Sequence, residues 1–435
     1  MAGEWHEVKI GELANVFDGP HATPPKTESG PVFLGISNLV NGRVDLSDTQ
    51  RLSEADYVRW TRRVTPMAGD LVFSYETRLG EAALIPDGLC CCLGRRMGLL
   101  RVRPGKVDQR FFLYAYLGPQ FQETLRSRTV HGSTVDRIPL IDLPEFPIRI
   151  PADIREQRAI AHILGALDDK IELNRRMNET LEAIARAIFK SWFVDFDPVR
   201  AKAKARDTGL PPHIADLFPD SFEDSELGEI PSGWRVGRVR EIGDVVCGKT
   251  PPTKVAEYYG EDVPFITIPD MHDKVFAVTT NKMLSNKGAD YQRNKTLPAG
   301  AICVSCIATV GLIVITTSKS QTNQQINTVI PQHEDEAYFW YWTLRDLGEE
   351  IKAGGSGGSV LTNLSTGRFS ELMVVTPARE LRVLYSEYVA RSFERILRNV
   401  RESLTLSDLR DALLPKLISG ELRVADAKRS LEAAI

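Results

Sequence analysis

One stretch constrains this chain more than any other. From Ile154 to Phe193 it runs IREQRAIAHILGALDDKIELNRRMNETLEAIARAIFKSWF, with no proline and one glycine, Gly165. Alternating steps of four and three pick out Ile160, Leu164, Leu167, Ile171, Asn174, Asn178, Leu181, Ala185, Ile188 and Trp192. That 3.5-residue period keeps one helix face turned toward a partner helix. A helix of this length spans about 60 Å at 1.5 Å per residue, more than one globular domain needs. The segment reads as a spacer.

A partner for the seam lies in the same chain. Between Ala378 and Leu422, the positions Tyr385, Val389, Ile396, Leu406, Leu413 and Leu417 repeat the register, and Asn399 and Ser403 stand where Asn174 and Asn178 stand in the first segment. Polar residues in a seam reduce stability but specify pairing and register. A single long helix lying on a globular body is the plainer alternative. Two such segments, each closing one half of the chain, favour a coiled coil.

The halves themselves repeat. Trp5 to Gly19 lies over Trp234 to Gly248 at a constant offset, matching Trp to Trp, Glu12 to Glu241 and Leu13 to Ile242; Thr23-Pro24-Pro25 then recurs as Thr250-Pro251-Pro252. The run Val32–Ile36 answers Pro264–Ile268, Gly69–Ser74 answers Gly300–Ser305, and Gly80 answers Gly311. So long a period describes a duplicated domain, not a solenoid. Short β-branched runs broken by Gly, Pro, Asn and Asp predict an irregular mixed sheet in each copy, with helices at Gln109–Leu117 and Ala337–Leu347. The charged, proline-containing stretch Asp195–Ser232 reads as a connector, ordered in part around Leu217 and Phe218.

The repeat also settles the apolar run Ala299–Ile315. Its counterpart in the first copy carries Glu76 and Arg78, so two buried strands and a turn fit better than a transmembrane helix. Met1 to Glu7 lacks the pattern of a signal peptide. The six cysteines include the adjacent Cys90, Cys91 and Cys92, which cannot form a useful disulfide framework, so the expected compartment is the reducing cytoplasm. Cys303 and Cys306 have redox or half-zinc spacing, yet no second ligand pair lies nearby, and no metal is expected.

With 54 Lys plus Arg against 58 Asp plus Glu, overall charge announces no nucleic-acid partner, so any basic patch must be local. The first half offers one in Arg78, Arg95, Arg96, Arg101, Arg103, Lys106, Arg110, Arg126, Arg128 and Arg137. Arg95 and Arg96, with Asn323, Gln324 and Gln325 in about the equivalent place of the second copy, offer forks for guanine and amides for adenine. The loops holding His131, Ser133 and Thr134 and holding Ser356 and Ser359 offer small donors for phosphate, and Lys249 and Thr250 can do the same. A surface or strand-capping pair is the plainer reading of Gln324 and Gln325.

Gly243 to Thr250 matches the phosphate-loop pattern G-x-x-x-x-G-K-[ST], but Pro251 and Pro252 follow at once, where a helix would have to open. Its counterpart in the first copy has no Gly-Lys-Thr. No other catalytic pattern occurs among the seven scattered histidines and the glycine runs. The chain reads as a binder, with no catalytic residues and no metal or cofactor of its own.

Pro151–Leu164 with Glu156-Gln157, Phe189–Val199, Leu227–Trp234 and Leu414–Leu422, in this order, resemble the specificity subunits of type I restriction–modification systems. The resemblance covers nearly the whole chain. It implies an α/β (α+β) architecture in which two target-recognition domains, residues 1–150 and 225–377, are separated by a long antiparallel two-helix coiled coil. Spacer helices 151–196 and 378–424, a connector at 197–224 and a tail at 425–435 complete the division. It further implies a non-enzymatic subunit that reads an asymmetric bipartite site in double-stranded DNA. Two copies of a methylation subunit would bring S-adenosylmethionine, two motor-nuclease restriction subunits would bring ATP and Mg, and no membrane is involved. The alternatives are the recognition subunit of another modification assembly and, in a different class, a nucleotide-binding enzyme using Gly243–Thr250.

Overall fold

Apart from Gly165 and Pro415, no glycine or proline interrupts the two long segments, and each forms one helix, Ile154–Phe193 and Arg379–Ser419. The second contains Pro415, which has no amide to donate to the Asp411 carbonyl, and it ends one turn later at Gly420, which adopts φ 78°. The computed structural model describes residues 4–131, 135–352, 363–427 and 429. The chain divides into two compact units, one comprising Met1–Glu172 with Ser403–Ile435 and the other Leu173–Glu402.

In the first unit an antiparallel sheet has the order Ala14–Asp18, Met97–Val102, Leu71–Ser74, Ala82–Leu84. A second sheet places Thr27–Leu34 between Gln50–Arg51 and Cys91–Leu93, the latter pairing parallel. Helices Gln109–Leu117 and Pro119–Ser127 cover the core. Asp108 accepts from the Phe111 amide to start the first, and Pro119 opens the second where no amide donor is needed. Ile160, Leu164 and Leu167 of the first long helix share this core with Leu406, Leu413 and Leu417 of the second, and Ile171 packs at its margin.

Gly165 has a local reason to lie inside a helix, where glycine costs about 1 kcal/mol relative to alanine. A Cβ there would fall 2.4 Å from Cζ of Arg110, whose Nη2 donates to the Gly165 carbonyl at 2.9 Å. Arg110 also grips both oxygens of Asp169, at 2.9 and 2.7 Å. Beside it Asp168 is buried, accepting from the Tyr114 hydroxyl at 2.6 Å and from Arg410 at 2.9 Å.

The second unit has the same sheet order plus one strand. Gly243–Cys247, Ile326–Pro331, Ile302–Ser305 and Ile313–Thr316 run antiparallel, and Phe276–Ala277 adds a parallel edge. Its companion sheet sets Tyr259–Ile266 between Met283–Leu284 and Gln321–Thr322, the last again parallel. The apolar run Ala299–Ile315 thus holds one strand, most of a second and a turn containing Ala308 at φ 66° and Gly311 at φ 81°. Among the described residues no helix is long and apolar enough to cross a membrane.

Aromatic rings dominate this second core. Phe189, Trp192 and Phe193 of the first long helix meet Phe339 and Trp342 of helix Ala337–Lys352 and Tyr385 of the second long helix, while Leu181 and Ile188 pack at the edge. Val389 and Ile396 are buried in the same cluster. The Tyr385 hydroxyl donates to the Ala185 carbonyl at 2.8 Å. The Asn174 amide donates to Glu402 at 2.8 Å and to the Asn399 carbonyl at 3.4 Å, and the Asn399 amide donates to Asn178 at 2.8 Å.

The connector is more structured than its composition indicates, with helices Asp197–Ala203 and Pro212–Ala215 and a hairpin of Phe222–Ser225 with Gly228–Pro231. Phe218 orders it as expected, buried edge-on against Trp192 at 5.5 Å, whereas the neighbouring Leu217 does not, being 39 % exposed.

Burial separates the cysteines by reactivity. Loss of solvation pushes the thiols of Cys91, Cys92 and Cys303 up to about 12 and that of Cys306 to about 11, whereas Cys90 is exposed and Cys247 half-buried. A group with pKa near 12 is thiolate in only about one molecule in ten thousand at pH 8. A thiol reagent at pH 8 is therefore expected to label Cys90, and more slowly Cys247, leaving the other four unreacted until denaturant is added. Mass spectrometry of labelled peptides checks this, and prompt labelling of Cys303 would contradict it.

Candidate nucleic-acid interface

In the second unit, strand Gly243–Cys247 delivers Gly248, Lys249 and Thr250 onto the loop leaving strand Gln321–Thr322. The approach requires glycine: a Cβ on Gly248 would lie 2.1 Å from the Asn323 carbonyl oxygen and 2.4 Å from that of Thr322. The Lys249 amide donates to the Thr322 carbonyl at 2.9 Å, and the Lys249 carbonyl accepts from the side chain of Gln292 at 2.7 Å. Gln292 is itself buried and also donates to Gln321 at 2.8 Å. The Thr250 hydroxyl donates to Oε1 of Gln324 at 2.6 Å.

Asn323 is 9 % exposed, and both ends of its amide are engaged: Oδ1 accepts from the Gln325 amide at 3.1 Å and Nδ2 donates to Gln325 Oε1 at 2.9 Å. The Lys249 ammonium lies 5.4 Å from the ring centre of Tyr291, which stacks on Tyr258 at 4.9 Å and is 48 % exposed. Lys249, Thr250, Asn323, Gln324 and Gln325 are thus brought together. No helix opens at Lys249-Thr250; the next element is a short 3-10 turn at Ala256–Tyr258, so the phosphate-loop pattern is a strand and a loop.

In the first unit the corresponding loops carry charge. Arg96, at φ 70°, holds Glu76 through Nε at 2.8 Å and reaches Thr77 Oγ1 at 3.4 Å, and Arg78 pairs with Glu81 at 2.9 Å. Backbone bridges of Arg137 to Glu76 and to Val130 tie those residues to this loop, and His131 lies 3.1 Å from Asp136. The Tyr75 hydroxyl donates to Asp18 at 3.0 Å, and burial, reinforced by the Asp18 charge, holds that phenol well above its ordinary pKa. Arg95 is exposed. Ser133, Thr134, Ser356 and Ser359 lie outside the described residues.

The basic run read in the first half does not form one free surface. Arg101 grips the buried Asp70 at 2.9 and 2.6 Å, Arg110 is held by Asp169, and Arg128 lies over Phe146 at 5.0 Å. These guanidinium groups serve packing within the unit. Tyr258, Tyr291 and Gln292, by contrast, had no sequence signal, since their positions depend on a loop closing over distant residues.

Residues 2–183 and 231–381 match the family described as the type I restriction modification DNA specificity domain. The chain belongs to this family. Among specificity-domain proteins, it is 40 % identical over 334 residues to the type I restriction enzyme HindI specificity subunit of Haemophilus influenzae, covering 67 % of this chain and 72 % of that one. It is 27 % identical to the MjaIX specificity subunit of Methanocaldococcus jannaschii, over 97 % of this chain and 94 % of that protein. The crystal structure of a type I restriction–modification S subunit from M. genitalium shares the fold with a TM-score of 0.58, 16 % identity, and coverage of 95 % of this chain and 96 % of that one.

Proposed function

We propose that this chain is the DNA sequence-recognition subunit of a type I restriction–modification complex, and the observation that carries this is the double match of one specificity-domain family within a single chain. The subunit is non-catalytic: it reads DNA and positions the methylation and restriction subunits. In the finer reading, residues 1–150 and 225–377 are the two target-recognition domains, each reading one half of an asymmetric bipartite site. The helices of 151–196 and 378–424 form an antiparallel two-helix coiled coil, 197–224 is the connector and 425–435 a tail. Contacts of Asn174 with Glu402, Asn178 with Asn399 and Ala185 with Tyr385 support opposite helix directions, since positions rise along one helix as they fall along the other.

The assembly in this reading contains two methylation subunits and, for restriction, two motor-nuclease subunits, working in the cytoplasm. S-adenosylmethionine belongs to the methylation subunit, ATP and Mg to the restriction subunit. Methylation of an adenine requires that base to leave the stack, so this chain contributes register and orientation on the duplex. The side chains gathered at Lys249, Thr250 and Asn323–Gln325, and those at Arg78, Arg95, Arg96 and His131, supply the donors and acceptors that phosphates and base edges require. Ser133, Thr134, Ser356 and Ser359 extend the same assignment as phosphate donors.

The test is methylome sequencing of a host that expresses this chain with its methylation subunit, compared with the same host lacking the chain. Modified adenines confined to one two-part motif, and lost without the chain, are expected. An active methylation subunit whose motif is unchanged in the absence of this chain would sink the reading.

A further inference from the structure

Parallel strand pairing puts the two units on a common residue register. Phe33 pairs with Cys92 in the first, and Phe265 pairs with Gln321 in the second. Three residues beyond each paired position stand Arg95 and Gln324. Each is exposed while the residues around it turn inward. Gly94 is pressed against its neighbour so closely that a Cβ would lie 2.0 Å from the Leu34 carbonyl oxygen, and Arg96 is held by Glu76. On the other side Asn323 and Gln325 satisfy one another, and the Asn323 amide donates to the Ile266 carbonyl at 3.2 Å.

The two exposed side chains present different chemistry. Among the described residues Arg95 makes no hydrogen bond or ion pair, so its planar donor fork is uncommitted, the arrangement that matches the O6 and N7 acceptors of guanine. Gln324 is steered: the Thr250 hydroxyl occupies one lone pair of Oε1, leaving the amide NH2 and the second lone pair side by side. A donor beside an acceptor is the pattern that adenine meets with N7 and its N6 amino group.

Resting on the DNA-recognition reading, we propose that Arg95 and Gln324 are equivalent specificity-determining residues, Arg95 for a guanine edge in one half of the target and Gln324 for an adenine edge in the other. Thr250 is the positioning residue that fixes the Gln324 amide. Lys249, tethered through its backbone to Thr322 and Gln292, carries charge toward phosphate without reading sequence.

The experiment is methylome sequencing of hosts carrying the full chain with its methylation subunit, using Gln324→Glu, Arg95→Gln, Thr250→Val and Thr250→Ser. Gln324→Glu is expected to lose the adenine preference at one position of one half, with modification of the original sites falling about tenfold or more and the other half unchanged. Arg95→Gln should do the same at a guanine in the opposite half. Thr250→Val should relax the position affected by Gln324→Glu, and Thr250→Ser should keep the original motif. An unchanged motif in either reading variant overturns the assignment at that residue, and a change reaching both halves overturns the proposal. If Gln324→Glu abolishes modification, Thr250→Val decides: one relaxed position upholds the proposal, and an unchanged motif overturns it. A motif that persists when the whole chain is omitted overturns the recognition reading instead.

Discussion

Asp168→Ala is expected to destabilise the first unit by about 3–5 kcal/mol, the cost of removing one partner of a buried ion pair. Asp168 is 8 % exposed and answers two donors, the Tyr114 hydroxyl at 2.6 Å and Arg410 at 2.9 Å. Alanine leaves the guanidinium of a half-buried arginine and a buried phenol facing each other with no acceptor between them. Arg410 retains Asp411 at 2.8 Å, so part of its charge stays compensated and the lower end of the range is favoured. Asp168→Asn keeps an oxygen for one donor and should cost clearly less. Hydrogen exchange resolved by peptide checks the location: protection should fall over Gln109–Leu117 and around Leu164 and hold in Ala337–Leu347. A loss below about 1 kcal/mol, or one equal in the two variants, would show that the pair contributes little beyond what water supplies.

The second unit has its own weak point at Phe189. Its ring lies 5.3 Å from Phe193, 5.7 Å from both Phe339 and Tyr385, and 6.4 Å from Trp342, so one side chain is enclosed by four others. Phe189→Ala should cost about 3–5 kcal/mol, combining lost transfer energy with a cavity that large, mutually wedged rings cannot collapse. Phe189→Leu fills much of that space and should recover a large part of the loss. Tryptophan emission followed in a denaturant titration reports the change, since Trp192, Trp234, Trp340 and Trp342 all lie in this core. A midpoint shift no larger for alanine than for leucine would mean that the rings repack.

Much of the architecture was legible because it rests on period and punctuation. The 3.5-residue pattern from Ile160 to Trp192 lies wholly inside helix Ile154–Phe193, which ends one residue beyond it, and helix Gln109–Leu117 begins where Asp108 supplies a cap. The repeat of Gly69–Ser74 at Gly300–Ser305 marks two strands that hold the same place in two sheets. What period cannot report is which polar partners meet after the sheets form. Arg101 reads as a surface cation until the pairing of Met97–Val102 with Leu71–Ser74 sets it over Asp70. Gly165 reads as a flaw in the helix until Arg110 arrives above it. At the candidate interface, residue types pointed to Gln324 and Lys249, but the Thr250 contact and the Tyr258–Tyr291 stack come from loops whose approach is set by Gly248 and by strand register.

The first unit draws its core from both ends of the chain, with Ile160, Leu164 and Leu167 packed against Leu406, Leu413 and Leu417. On the ribosome, those early leucines and isoleucines emerge well before the residues that cover them, with all of Leu173–Glu402 translated in between. At about 5–20 residues per second, that interval lasts roughly 10–50 s. The later-encoded unit can finish folding first, while the earlier one waits with an apolar helix face in water. A premature stop near residue 403 would therefore injure the beginning of the protein more than its middle.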